Sequence, residues 1–217
     1  MVSSKIWWVR GYRLIFALLA LIALIAQWMQ SLGAQRSTID FFSYFTIQSN
    51  LIAVAVLLWG TLKPGEGGDG RARYLFRGAP VLYLGITGVV FALLLSNQPQ
   101  VTVAFANTVL HKLMPVIMMA DWILVPPGQA ISVRRAAALW LIYPTAWLAY
   151  TMIRGAAIDW YPYPFLNPHV MGGYGRVLAL LLGIVIGAVV FTAIIVWSGR
   201  LVSEKTDAGR RLGRLPQ

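Results

Sequence analysis

The sequence has no cysteine and only 2 histidines in 217 residues. Disulfides, thiolate metal sites and a cysteine nucleophile are thereby excluded. His111 and His169 have no H-x-x-E or similar companions, so no metal is expected and no cofactor is implied. A glycine-rich phosphate loop, a G-x-S-x-G nucleophile elbow and a clear internal repeat are all missing. Charge is scarce too: 12% of residues are charged against 59% hydrophobic, which excludes an ordinary soluble domain. The composition is that of an integral membrane protein.

The charge that is present is one-sided, with a formal net of +11. It falls between apolar spans rather than on one basic and aromatic face, so it reads as topology and not as a nucleic-acid surface. Apolar stretches of near-spanning length run from Tyr12 to Met29, Phe41 to Thr61, Pro80 to Leu95, Thr102 to Val125, Ala136 to Ile153 and Gly175 to Trp197. The expectation is an all-α membrane protein with six transmembrane helices: one domain over residues 1–200 and a basic cytoplasmic tail over 201–217. The first span has a basic start but no short apolar run with a small-x-small cleavage site, and it reads as a retained helix.

Lys5, Arg10 and Arg13 precede the first span, Lys63, Arg71, Arg73 and Arg77 follow the second, and Arg134 and Arg135 follow the fourth. The basic tail follows the last span, whereas the alternate connections hold only Arg36, Arg154 and Arg176. The asymmetry predicts cytoplasmic N- and C-termini. "KPGEGGDGRAR" (Lys63 to Arg73) reads as a flexible cytoplasmic linker.

Polar residues interrupt two spans at related depths. Thr46 lies about 8 Å below the outer end of the second span and His111 about 14 Å below that of the fourth. Ser43, Thr46 and Asn50 share one helical face, and Asn107, Thr108, His111 and Pro115 another. In hydrocarbon such stripes turn toward protein or a water-filled cavity, and these two are expected to face each other. The simpler interpretation is that Thr46 and His111 only bond backbone or glue helices. Lys112 and Asp121 are about 13 Å apart along the helix, too far to pair; Asp121 is expected to be satisfied by water or by Arg134 and Arg135. The connection "RGAAIDWYPYPFLNPH" (Arg154 to His169) is too rich in proline for a regular helix and reads as an aromatic interfacial cap. It is either a set of anchors or a wall over the cavity, with Asp159, Asn167 and His169 available for polar contacts. Gly183 and Gly187 have G-x-x-x-G spacing, which fits close packing of helices within the chain.

"FTIQSN" in the second span, "NTVLHKLMPVIMMAD" in the fourth and "YPFL" before the last resemble the androgen-induced protein family. That family comprises six-helix membrane hydrolases, including the androgen-dependent tissue-factor-inhibitor regulator and bacterial relatives. The resemblance implies an intramembrane threonine and histidine that hydrolyse fatty-acid esters of hydroxy fatty acids, roles that fall on Thr46 and His111. A bacterial-type relative would sit in the plasma membrane, with membrane lipids and a lipid ester as its partners and no nucleic acid.

The chemistry is coherent, because a threonine hydroxyl becomes nucleophilic when a neutral histidine accepts its proton. Asn50, Asn107 and Lys112 are candidate oxyanion donors, Tyr163 and Asn167 are candidate substrate-binding groups, and Lys112 is an alternative base. A lipid-ester hydrolase therefore stands against a transporter, which needs a polar path across the bilayer, and against a lipid-binding protein without turnover.

Overall fold

The computed structural model describes residues 2–62, 70–97, 102–125 and 131–212, with side chains described between 7 and 201. The fold is all-helical, and no strand occurs among the described residues. The helices are α1 (Val2–Gly33), α2 (Thr38–Ser43), α3 (Phe45–Leu62), α4 (Arg71–Val90), α5 (Ala104–Thr108), α6 (Met114–Leu124), α7 (Val133–Trp140), α8 (Ile142–Ile158), α9 (Pro168–Met171) and α10 (Tyr174–Leu212). Two π-helical turns extend this set: Phe91–Leu95 closes α4, and Val109–Leu113 joins α5 to α6.

Among the described residues, five helical stretches are long and apolar enough to cross a membrane: Trp7–Gly33, Phe45–Leu62, Arg71–Leu95, Val133–Ile158 and Tyr174–Leu201. The fourth expected span exists as the helical run Ala104–Leu124 but is not among these five. Half of α3 and of α4 is buried inside the protein, against 17% of α7–α8 and 22% of α10. α3 and α4 therefore form the protein-facing centre, while α10 turns Leu178, Leu182, Ile186 and Val190 outward, as a lipid-facing helix does.

Several boundaries depart from the pattern-based expectation. The span expected to start at Phe41 is two helices, because Tyr44 is extended (φ −71°, ψ 128°) and breaks it. The break frees carbonyls that need donors. Gln48 Nε2 donates to the Phe42 carbonyl at 2.6 Å and Trp147 Nε1 to that of Ser43 at 2.9 Å. Tyr143 in turn donates to Gln48 Oε1 at 2.6 Å, which fixes the amide. α4 begins at Arg71, well before Pro80, because Tyr74, Arg77 and Gly78 already form a buried face. Arg71 to Arg73 thus belong to a helix; Lys63 to Asp69 of the expected linker lie outside the described residues. α10 likewise runs on to Leu212, through much of the expected tail.

Asp121 is not left to water or to Arg134 and Arg135. Arg13 Nε and Nη2 reach its two carboxylate oxygens at 2.6 and 3.1 Å, and Arg77 Nη2 reaches Oδ2 at 3.1 Å. Arg13 also donates to the Gly60 carbonyl at 3.0 Å, and Arg77 to that of Val125 at 2.6 Å. All three side chains are buried, so this cluster ties α1, α3, α4 and α6 together at one end of the bundle. Buried charges persist where pairing and hydrogen bonds satisfy them. Gly183 and Gly187 do not bring helices together within the chain: a Cβ built on either meets nothing within 4 Å. The close approaches lie elsewhere, at Gly78 against Trp140 and Gly85 against Phe191.

Candidate functional site

The break at Tyr44 has a direct chemical result. It makes Thr46 the second residue of α3, so its hydroxyl sits in the first turn of a helix, at the positive end of the helix dipole. Thr46 Oγ1 lies 3.2 Å from His111 Nε2. Tyr163, from the connection between α8 and α10, closes the other side: its hydroxyl accepts the Thr46 N–H at 3.2 Å and lies 3.3 Å from Thr46 Oγ1.

The direction of these bonds is set by the acceptors. His111 Nδ1 faces the Asn107 carbonyl at 3.2 Å, and a carbonyl only accepts, so neutral His111 carries its proton on Nδ1 and presents a lone pair at Nε2. Thr46 Oγ1 then donates to Nε2, and the Tyr163 hydroxyl donates to Thr46 Oγ1. Burial pushes the Tyr163 hydroxyl up to about 12, partly offset by its hydrogen bonds with Thr46. It is an O–H donor throughout the physiological range.

Both π-helical turns meet at this point. Phe91 of the first stacks on the His111 ring of the second, with centroids 4.4 Å apart and planes at 27°. A π turn replaces i→i+4 bonds by i→i+5 bonds and rotates the residues after it onto a different face, a feature common at functional sites. Here it separates residues that ideal spacing placed on one face: Thr108 is exposed, while His111 is half-buried.

Thr46, His111, Tyr163, Asn107 and Asn167 line a cavity of about 590 Å³, within the range of ligand pockets. The cavity also takes in Gln27, Gln30 and Ser31 from the end of α1. Sequence reasoning missed these three, although their i, i+3, i+4 spacing is a polar stripe as legible as the two on the second and fourth spans. The rim carries Arg36 and Asp40, and Asp40 is held by Arg154 at 2.5 Å.

The other candidate side chains make no hydrogen bond to Thr46 Oγ1 or to the His111 ring. Asn50 is buried, and its Nδ2 donates to the Thr46 carbonyl at 2.9 Å and the Leu110 carbonyl at 3.2 Å. Both amide hydrogens are engaged in joining α3 to the π turn, so Asn50 braces the site and does not line it. Lys112 is exposed, with Nζ 6.0 Å from the Phe91 ring centroid, and does not line the cavity. Asn167 Oδ1 accepts from the His169 N–H at 2.9 Å as the cap of α9. Asp159 and His169 lie 3.7 Å apart on the surface, outside the cavity. Among the described residues no three acidic or histidine side chains gather as a metal site.

No protein-family model, curated protein or solved structure matches the chain.

Proposed function

We propose that this protein is an intramembrane hydrolase of lipid esters, with Thr46 as nucleophile and His111 as base, a bacterial-type relative of the androgen-induced protein family that its motifs resemble. The observation that carries the proposal is the 3.2 Å approach of Thr46 Oγ1 to a His111 Nε2 whose other nitrogen is held by a carbonyl. Six spans, with Ala104–Leu124 as the fourth and both termini cytoplasmic, put the cavity at the outer face of the plasma membrane.

In the first half-reaction the Thr46 hydroxyl proton passes to His111 Nε2 as Oγ1 bonds to the ester carbonyl carbon. The resulting oxyanion is met by the Tyr163 O–H and the N-terminus of α3, donors already oriented and shielded from bulk water. Collapse breaks the bond to the alcohol oxygen, which leaves with the proton from His111. A water molecule then attacks acyl-Thr46 and gives its proton to His111; Thr46 Oγ1 recovers that proton as the fatty acid departs. The products are one carboxylic acid and one alcohol.

Intact-mass labelling of detergent-purified protein with a lipid-like fluorophosphonate tests the assignment. The expected result is one adduct on Thr46, lost in Thr46→Ala and slowed about 10²-fold or more in His111→Ala, the range for loss of a general base. A folded wild type that takes no adduct, or equal labelling in all three proteins, would defeat it.

A further inference from the structure

Thr46 and Tyr163 line a second cavity as well, of about 120 Å³, which shares these two residues and Leu95 with the polar chamber. Its walls are of opposite character: Ile86 and Val90 of α4, Leu148 of α8, and Leu181, Ile184 and Val185 of α10. α8 and α10 are not among the closely packed helix pairs, and Val185 is 46% exposed, so this groove opens toward the lipid between them.

The larger chamber has an uncommitted charge at its rim. Asp40 is held by Arg154, and the Arg36 guanidinium has no ion pair or hydrogen bond among the described residues. Its backbone is nevertheless fixed. The Arg36 N–H donates to the Ser31 carbonyl at 3.0 Å and the Gln35 N–H to that of Leu32 at 2.9 Å, with Gln35 left-handed at φ 57°. These are the two bonds of a Schellman cap. Glycine is the usual residue at that position, and a non-glycine there carries a backbone cost.

We infer that Thr46 stands on a partition between two subsites, an apolar groove between α8 and α10 for one acyl chain and a polar chamber for an alcohol bearing an anionic group near Arg36. The inference rests on the hydrolase reading and narrows its substrate to single-chain acyl esters of anionic alcohols. The shared chemistry covers a carboxylate or a phosphate on the alcohol. It also disfavours esters in which both halves are long chains, because a second chain would strip water from Gln27, Gln30, Ser31 and Arg36 without replacing their hydrogen bonds. The two products leave separately, the fatty acid into the membrane and the alcohol into water.

The test compares matched substrates on wild type, Val185→Trp and Arg36→Gln. The first pair is 1-acylglycerol 3-phosphate and 1-acylglycerol; the second is the acyl ester of a short hydroxy acid and the methyl ester of that same compound. Acyl chains run from acetyl to palmitoyl. Wild type is expected to prefer the anionic member of at least one pair and the longer chains, and whichever pair responds separates phosphate from carboxylate. Val185→Trp should remove the long-chain preference, read as the ratio of kcat/KM for palmitoyl over acetyl esters. Arg36→Gln should raise KM about tenfold, the effect of one ion-pair interaction of about 1.4 kcal/mol, for anionic members only, with kcat unchanged. Chain-length preference that survives Val185→Trp, equal effects of Arg36→Gln on anionic and neutral members, or faster turnover of esters with two long chains would overturn the inference. A photoreactive fatty acid gives a readout that needs no turnover. Crosslinks in the segment 181–188 support the groove even if no adduct forms on Thr46, and crosslinks confined to the polar chamber refute it even if Thr46 labels well.

Discussion

Tyr163→Phe removes one oxygen from the floor of the cavity and leaves the ring where it is. The ring stacks on Phe165 at 5.2 Å and meets Tyr44 and Trp147 edge-on or tilted at 5.5 and 6.1 Å, contacts that phenylalanine keeps. Two bonds vanish, from the Thr46 N–H and to Thr46 Oγ1. The buried N–H left without its partner costs about 1–3 kcal/mol of stability. On the reaction, loss of one preorganised oxyanion donor costs about 10²–10³-fold in rate, or roughly 2.7–4 kcal/mol. The two effects separate if the second-order rate of fluorophosphonate labelling is normalised to the folded fraction found by size exclusion and thermal melting. A normalised rate within about threefold of wild type, well short of the loss of one donor, would show that Tyr163 merely packs. It would also remove it from the oxyanion site.

Lys112→Met should leave normalised labelling unchanged within about twofold, since its side chain is exposed and does not line the cavity; a loss comparable to His111→Ala would restore Lys112 as the base. Asn50→Leu removes the side-chain donor shared by the Thr46 and Leu110 carbonyls and should lower stability by about 1–3 kcal/mol, read as a reduced melting temperature; unchanged melting would show that the brace is idle. Asp121→Asn leaves Arg13 and Arg77 buried without their carboxylate and should cost about 3 kcal/mol or more. Labelling per folded molecule should be preserved, and a normalised loss would mean that the charged cluster reaches the site.

How much could be read from the residues differs by element. Hydropathy located the five membrane-length helices and the run Ala104–Leu124, because lipid demands long apolar runs whatever their neighbours are, but not the short α2 and α9. It missed the starts of α4 and α7 and the true end of α10, where polar residues are helical against protein or beyond the apolar window. The meeting of Thr46 and His111 was anticipated from shared depth and from resemblance. The break at Tyr44 was not, since no glycine or proline marks it and its cause is distant: Trp147, a hundred residues on, supplies a donor that makes the break tolerable. The π turns are equally silent in "NTVLHKLMP", because i→i+5 bonding there is a product of packing. Asp121 was misassigned for a related reason. Its nearest basic residues in sequence are Arg134 and Arg135, but α1 and α4 flank it in space.

Tyr163 also imposes an order on how the site comes into being. Thr46 and His111 both precede α7 and α8, while the hydroxyl that bonds Thr46 arrives after α8 has been made, and the groove wall on α10 later still. During synthesis the proposed nucleophile and base enter the membrane before the donor proposed to serve the transition state. A protein assembled in this sequence keeps its reactive pair incomplete until the α8–α10 connection folds inward. Ribosome-stalled chains ending before and after Tyr163, probed with the same fluorophosphonate, should differ sharply in labelling; equal labelling would mean that the pair is armed from the start.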